Sequence, residues 1–166
     1  MKRLWAPWRF AYIAAPAVTG CVLCEAPASG DDRAVLILHR AQDAYLILNR
    51  FPYNTGHLMA VPLRHLARPD ELTPREGETL LALVSLGVRA LERAMEPDGF
   101  NIGMNLGHAA GAGIADHLHL HIVPRWSGDT NFMPVLGGVK VLPEHLDDTY
   151  QRLASALASL TGPGTA

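Results

Sequence analysis

A chain of 166 residues with 49% hydrophobic and 18% charged side chains can bury one ordinary core and is too apolar to stay disordered. Its formal net charge of −2 supplies no dominant field of either sign, so neither extended nucleic acid nor an anionic membrane is an expected partner. No apolar run reaches the roughly 20 residues of a membrane span, and the first nine residues hold no secretory-type apolar stretch, so a cytoplasmic protein is expected.

Residues 1–20 read as an N-terminal arm that must pack Trp5 and Trp8 on its own domain or on a partner subunit. A single domain is expected over residues 21–162, with a tail at 163–166. Cys21-Val22-Leu23-Cys24 opens the domain, and the small and polar types at 25–33 predict a loop. Ala34–His39 and Tyr45–Asn49, with Arg40-Ala41-Gln42-Asp43 between them, predict a hairpin, and the Pro- and Gly-punctuated turn at 51–56 leads into a third strand, His57–Pro62. Thr73-Pro74-Arg75-Glu76 is a capping box with Pro at the first helical position. The helix that follows carries an apolar stripe of Leu80, Val84, Val88, Leu91 and Met95 and ends near Pro97 and Gly99. Phe100–Leu106 predicts a fourth strand, residues 107–113 a glycine-rich loop, and His117–Val123 a fifth strand stopped by Pro124. A last helix runs from about Pro143 to Leu160, with Leu146, Tyr150, Leu153, Leu157 and Leu160 on one side. The order implies an α+β fold with a mainly antiparallel sheet.

Three histidines fall within five residues at His117, His119 and His121. On an extended strand they share one face, while Leu118, Leu120 and Ile122 share the other. Such a row suits phosphate or metal, because imidazole donates, accepts, titrates near neutrality and ligates. One metal held by all three fits poorly, because an extended strand separates the outer two far beyond the reach of a tetrahedral ion. The bland reading is a polar, solvent-facing strand surface. In the preceding loop, Gly111-Ala112-Gly113 can bring backbone N–H groups close to a phosphate. The Cys21/Cys24 pair reads as zinc or redox chemistry. A structural disulfide does not suit a cytoplasmic chain, residues 1–33 offer no thioredoxin-like context, and zinc requires two further ligands.

His117-Leu118-His119-Leu120-His121-Ile122-Val123 resembles the signature of the histidine triad superfamily. Pro124-Arg125-Trp126 is similar to its dinucleoside polyphosphate branch, and Leu48-Asn49-Arg50 with Asn54–Pro62 is similar to its upstream block. Asn101–Gly113 is similar to its phosphate loop, and Gly128-Asp129-Thr130-Asn131-Phe132 to a segment of bacterial phosphorylase-like members. These blocks stand in family order over roughly residues 34–135.

The resemblance implies a five-stranded antiparallel sheet with two helices. It also implies a homodimer with one continuous sheet and the helix after Thr73 at the interface. It assigns the nucleophile to His119, which would form a covalent nucleotidyl-histidine on a dinucleoside polyphosphate such as diadenosine tetraphosphate. His121 would bind phosphate oxygens and the bridging oxygen, and His57 would approach from the adjacent strand. Asn49 would contact the ribose and Asn105 the phosphate, although either also suits an ordinary turn-forming Asn at a strand end. The acceptor would be inorganic phosphate or water, with the Gly128–Phe132 segment favouring phosphate. Many hydrolase members carry Gln followed by Ser or Thr where this chain has Ala112-Gly113-Ile114, so leaving-group stabilisation must differ here. The resemblance also implies structural zinc on Cys21, Cys24, His65 and His117, and no organic cofactor. A nucleoside phosphoramidate hydrolase is the alternative enzyme, disfavoured by Pro124-Arg125-Trp126. A nucleotide-binding interaction protein is the alternative of another class.

Overall fold

The computed structural model describes residues 20–129 and 144–162. Most of the N-terminal arm, the tail at 163–166, residues 130–132 of the Gly128–Phe132 segment and the expected helix start at Pro143 lie outside the described residues.

A short helix α1, Val22–Ala28, occupies part of the expected loop. Pro27 hid it, since a helix interior disfavours proline. The carbonyl that Pro27 cannot serve, that of Leu23 four residues earlier, instead accepts the Tyr45 hydroxyl at 2.5 Å. Tyr45, from the strand at Ala44–Leu48, thus supplies the hydrogen bond that the short helix lacks.

Five antiparallel strands follow: β1 Ile37–Arg40, β2 Ala44–Leu48, β3 Leu58–Pro62, β4 Gly99–Gly103 and β5 Leu120–Arg125, in the order β1-β2-β3-β5-β4. β2 and β3 are buried along their whole length. Helix α2, Pro74–Met95, starts at the expected capping box, with Thr73 and Glu76 exchanging hydrogen bonds. Arg64, with help from the Thr73 amide, holds the Glu76 carboxyl down at about 2. At the other end Glu96 closes the helix in the left-handed region at φ 49°, just before Pro97.

Helix α3, Leu146–Thr161, packs beside α2 and presents Leu153 and Leu157 to the core. The Tyr150 hydroxyl donates to the Ile37 carbonyl at 2.9 Å. Both helices cover one face of the sheet. Gly87 lets α2 approach closely: a Cβ there would lie 3.0 Å from Ile122 Cδ1 and 3.4 Å from Leu46 and Leu58 Cδ1. Tyr45, Met59 and His121 alternate with these residues and lie on the opposite face. Among the described residues, no helix is long and apolar enough to cross a membrane.

The fifth strand differs from its expected bounds. Pairing begins at Leu120, so His117 and His119 stand ahead of the strand, with a bend at His117, and only His121 lies in the ladder. Pro124 does not stop the strand but pairs with Phe100 of β4. Its carbonyl accepts the Asn54 side chain at 3.1 Å, on the side where β3 has already ended. A strand residue directs N and O to the same side, so the missing N–H faces away from β4 and breaks no ladder bond.

Candidate active site

His57 stands at the start of β3, fully buried after the tight turn at Gly56, whose φ is 79°. A side chain at Gly56 would strike Met95 and Leu91 at 2.8 and 2.9 Å. The Tyr53 N–H donates to His57 Nδ1 at 3.0 Å. A backbone amide can only donate, so Nδ1 must be the bare nitrogen and the neutral ring carries its proton on Nε2. That Nε2 lies 2.9 Å from His121 Nδ1 and donates to it. His121 therefore holds its own proton on Nε2, beside the Asn105 amide at 3.3 Å. The Asn105 atom placed there is Nδ2, itself a donor, so the amide must turn about to offer Oδ1 before it accepts that proton. The Tyr53 ring stacks on His57 at 4.7 Å and tilts over His121 at 5.4 Å.

His119 is set by a separate constraint. Its Nδ1 lies 2.8 Å from the His117 carbonyl, which can only accept. The proton thus sits on Nδ1, and Nε2 presents a lone pair. The ring meets His121 edge-on at 4.8 Å. Burial, then the neighbouring His119, pushes His121 down to about 4, and burial lowers His119 as well. Both rings are neutral at pH 7. The site therefore places a bare imidazole nitrogen on His119 next to a ring on His121 that offers an N–H.

The first histidine faces elsewhere. His117 Nδ1 lies 3.2 Å from Cys21 Sγ and 3.4 Å from Cys24 Sγ, and Cys24 Sγ lies 3.3 Å from His65 Nδ1. The four donor atoms all fall within 4.8 Å of one another and could hold a metal ion. The fit is close, because a tetrahedral zinc keeps sulfur and nitrogen ligands roughly 3.4–3.8 Å apart. The Nε2–H of His117 donates to the Pro62 carbonyl at 2.9 Å, which leaves Nδ1 as the lone pair facing the sulfurs. One lone pair cannot accept from two thiols at once, whereas a cation among the four satisfies all of them. Burial, and then Cys21, raises the Cys24 thiol, so a thiolate there needs a cation nearby.

The sequence model of the HIT domain family matches residues 33–128, more than half of the chain. The chain belongs to the HIT domain family. It is 41% identical over 167 residues to the AP-4-A phosphorylase of Mycobacterium tuberculosis, an alignment covering 95% of this chain and 85% of that protein. The fold is similar to a Zn-bound histidine triad family protein from Mycobacterium smegmatis, with a TM-score of 0.68 and 25% identity over 85% of this chain and 95% of that one. A histidine triad nucleotide-binding protein from Sulfolobus tokodaii shares the fold at TM-score 0.69 and 22% identity, covering 87% of this chain and 97% of that one.

Within this HIT domain, the structure gathers His57, His119, His121 and Asn105 at one place, and Cys21, Cys24, His65 and His117 at another. Asn49 stands at the end of β2 with its Oδ1 accepting the Phe51 N–H at 2.8 Å and its Nδ2 3.3 Å from Met59 Sδ. The Gly111 and Ala112 amides close the turn around His108–Ala110, donating to the carbonyls of His108 and Gly107, and Gly113 follows in the chain toward His117. The sequence reading missed the Tyr53 amide, the Pro62 carbonyl and the Asn54–Asp129 contact. The compact turn at 51–56 was the available signal, because a turn that ends on a buried histidine must place main-chain groups around its ring.

Proposed function

We propose that this HIT protein cleaves dinucleoside polyphosphates of the diadenosine tetraphosphate kind through a nucleotidyl-histidine on His119. The observation that carries the reading is the opposite protonation of two adjacent rings: a lone pair on His119 Nε2 beside a proton on His121 Nε2. His119 attacks the α-phosphorus, forming an N–P bond as the bond from phosphorus to the bridging oxygen breaks. His121 binds that oxygen through its Nε2–H and stabilises the negative charge that builds on it, so the nucleoside polyphosphate departs as an anion and His121 keeps its proton. An oxygen of inorganic phosphate, or of water, then attacks the same phosphorus and frees His119. Asn105 and the backbone of Gly111, Ala112 and Gly113 hold phosphate oxygens in this reading, the Gly111 and Ala112 amides exchanging their bonds to His108 and Gly107 for the phosphate, and Asn49 exchanges its local contacts for the ribose. The 41% identity to a phosphorylase supports phosphate as the acceptor.

Zinc would be held by Cys21, Cys24, His65 and His117 and would supply a structural clamp between α1 and the chain before β5. A thiol-based site of this kind favours a reducing compartment, in keeping with a cytoplasmic protein. The homodimer reading is supported by β4, an edge strand that presents Ile102 to solvent and runs on to exposed Met104 and Leu106.

Product analysis with diadenosine tetraphosphate is the test. Phosphorolysis yields ADP and ATP only when phosphate is supplied, whereas hydrolysis yields AMP and ATP without it. His119→Ala should abolish the covalent adduct and lower turnover on the order of 10⁴-fold or more. Intact protein that leaves diadenosine tetraphosphate uncut, with or without phosphate, would sink the reading.

A further inference from the structure

The direction of the His57–His121 hydrogen bond is a choice between two arrangements of equal proton count. In one, His57 Nε2–H donates to His121 Nδ1, and His121 offers Nε2–H outward. In the other, His121 Nδ1–H donates to His57 Nε2, and His121 faces outward with a bare nitrogen that cannot donate a hydrogen bond. The Tyr53 N–H on His57 Nδ1 selects the first, because it excludes a proton from that nitrogen.

The Tyr53 amide is exactly as well placed as its turn is anchored. The His57 N–H donates to the Asn54 carbonyl at 3.1 Å, so residues 53–57 close on themselves. The turn is tied to the rest of the molecule through the Asn54 side chain, whose Nδ2 donates to the Pro124 carbonyl at 3.1 Å and to Asp129 Oδ2 at 2.9 Å. Asp129 is in turn fixed on both oxygens by Arg125, at 2.6 and 2.8 Å, and by the Trp126 N–H at 3.2 Å. Arg125 also reaches Asn101 Oδ1 of β4 at 2.6 Å. A proline at 124 offers only an acceptor on the side facing the turn, and Asp129 offers only acceptors. Both therefore require the donor end of the Asn54 amide.

We propose that Asn54 and Asp129 are positioning residues that set the protonation of His121. They fix the 53–57 turn against the end of β5, and through the Tyr53 amide and His57 they keep the His121 proton on the outward nitrogen. Neither residue needs to touch substrate. The inference rests on the proposed leaving-group role of His121 for its catalytic meaning, but the protonation pattern itself can be read without any substrate.

The experiment uses the full chain with ¹⁵N-labelled histidine and records long-range ¹H–¹⁵N correlations of the ring nitrogens. In the native protein, His57 and His121 should each show a protonated Nε2 and a bare Nδ1. Asn54→Ala and Asp129→Ala should populate the reversed arrangement in both rings and lower kcat by about ten- to a hundredfold while KM stays near its native value. Asp129→Asn keeps an acceptor for the Asn54 amide and should retain the native pattern, which guards against a variant that merely fails to fold. The proposal is overturned if folded Asn54→Ala and Asp129→Ala both keep the native ring protonation, even when their turnover falls. A protein with the expected ring pattern that leaves dinucleoside polyphosphates uncut would overturn the functional reading and leave the positioning role standing.

Discussion

Each ring of the histidine row takes its character from a main-chain neighbour: the Pro62 carbonyl for His117, the His117 carbonyl for His119, and the Tyr53 amide, through His57, for His121. The residue types were legible in the sequence, since three imidazoles on one stretch of chain suit phosphate or metal and the distant Cys21/Cys24 pair reads as zinc or redox chemistry. The direction of each proton was not, because a carbonyl or amide has no letter of its own. Burial gives the residue scale its pH dependence. His121 is held near 4 against an ordinary 6.5, first by burial and then by His119. The folded state therefore binds fewer protons than the unfolded state between those values. The stability tied to the neutral ring is fully present above about 6.5 and is lost as pH falls through about 4. Within that window one such group changes stability by up to about 1.4 kcal/mol per pH unit. Urea unfolding at a series of pH values should show a steeper acid loss for the native chain than for His121→Asn, and equal slopes would refute this account.

The long helix was readable at both ends, because a capping box and a Pro-Gly stop act locally and α2 obeys both. Helix α1 was not, because its stability is supplied from outside by Tyr45 and its own Pro27 argues for a loop. The alternation in His117–Val123 signals a strand, which the structure forms only from Leu120, after a bend at His117. The edge strand β4 carries the element-scale prediction. Ile102 pairs with Ile122 on one side and is 48% exposed. An unpaired edge with apolar side chains is a template for a second strand. Light scattering should report a dimer for the native chain and a monomer for Ile102→Lys, with the same circular dichroism spectrum. A native chain that runs as a monomer at micromolar concentration contradicts the continuous-sheet assembly.

For the molecule as a whole, α1 is joined to the sheet, among the described residues, by few groups: the Tyr45 hydroxyl, the Arg40 guanidinium on the Pro27 carbonyl at 2.9 Å, the buried Leu23 and Ala26, and the four metal-type donors. Metal removal should therefore loosen residues 20–33 before the sheet. Elemental analysis should find one zinc per chain, and a chelator or Cys24→Ser should lower the unfolding free energy by several kcal/mol, on the order expected of a structural site. Metal-free protein with an unchanged melting temperature would remove zinc from the account. The position of His117 carries this further. Its ring is the fourth donor of the cysteine cluster, and its carbonyl holds the proton of His119. The cysteine knuckle is consequently not a detachable module. Any recombination that deletes residues 20–33 leaves an orphaned imidazole two residues before the proposed nucleophile, so the two ends of the domain must be inherited, or redesigned, together.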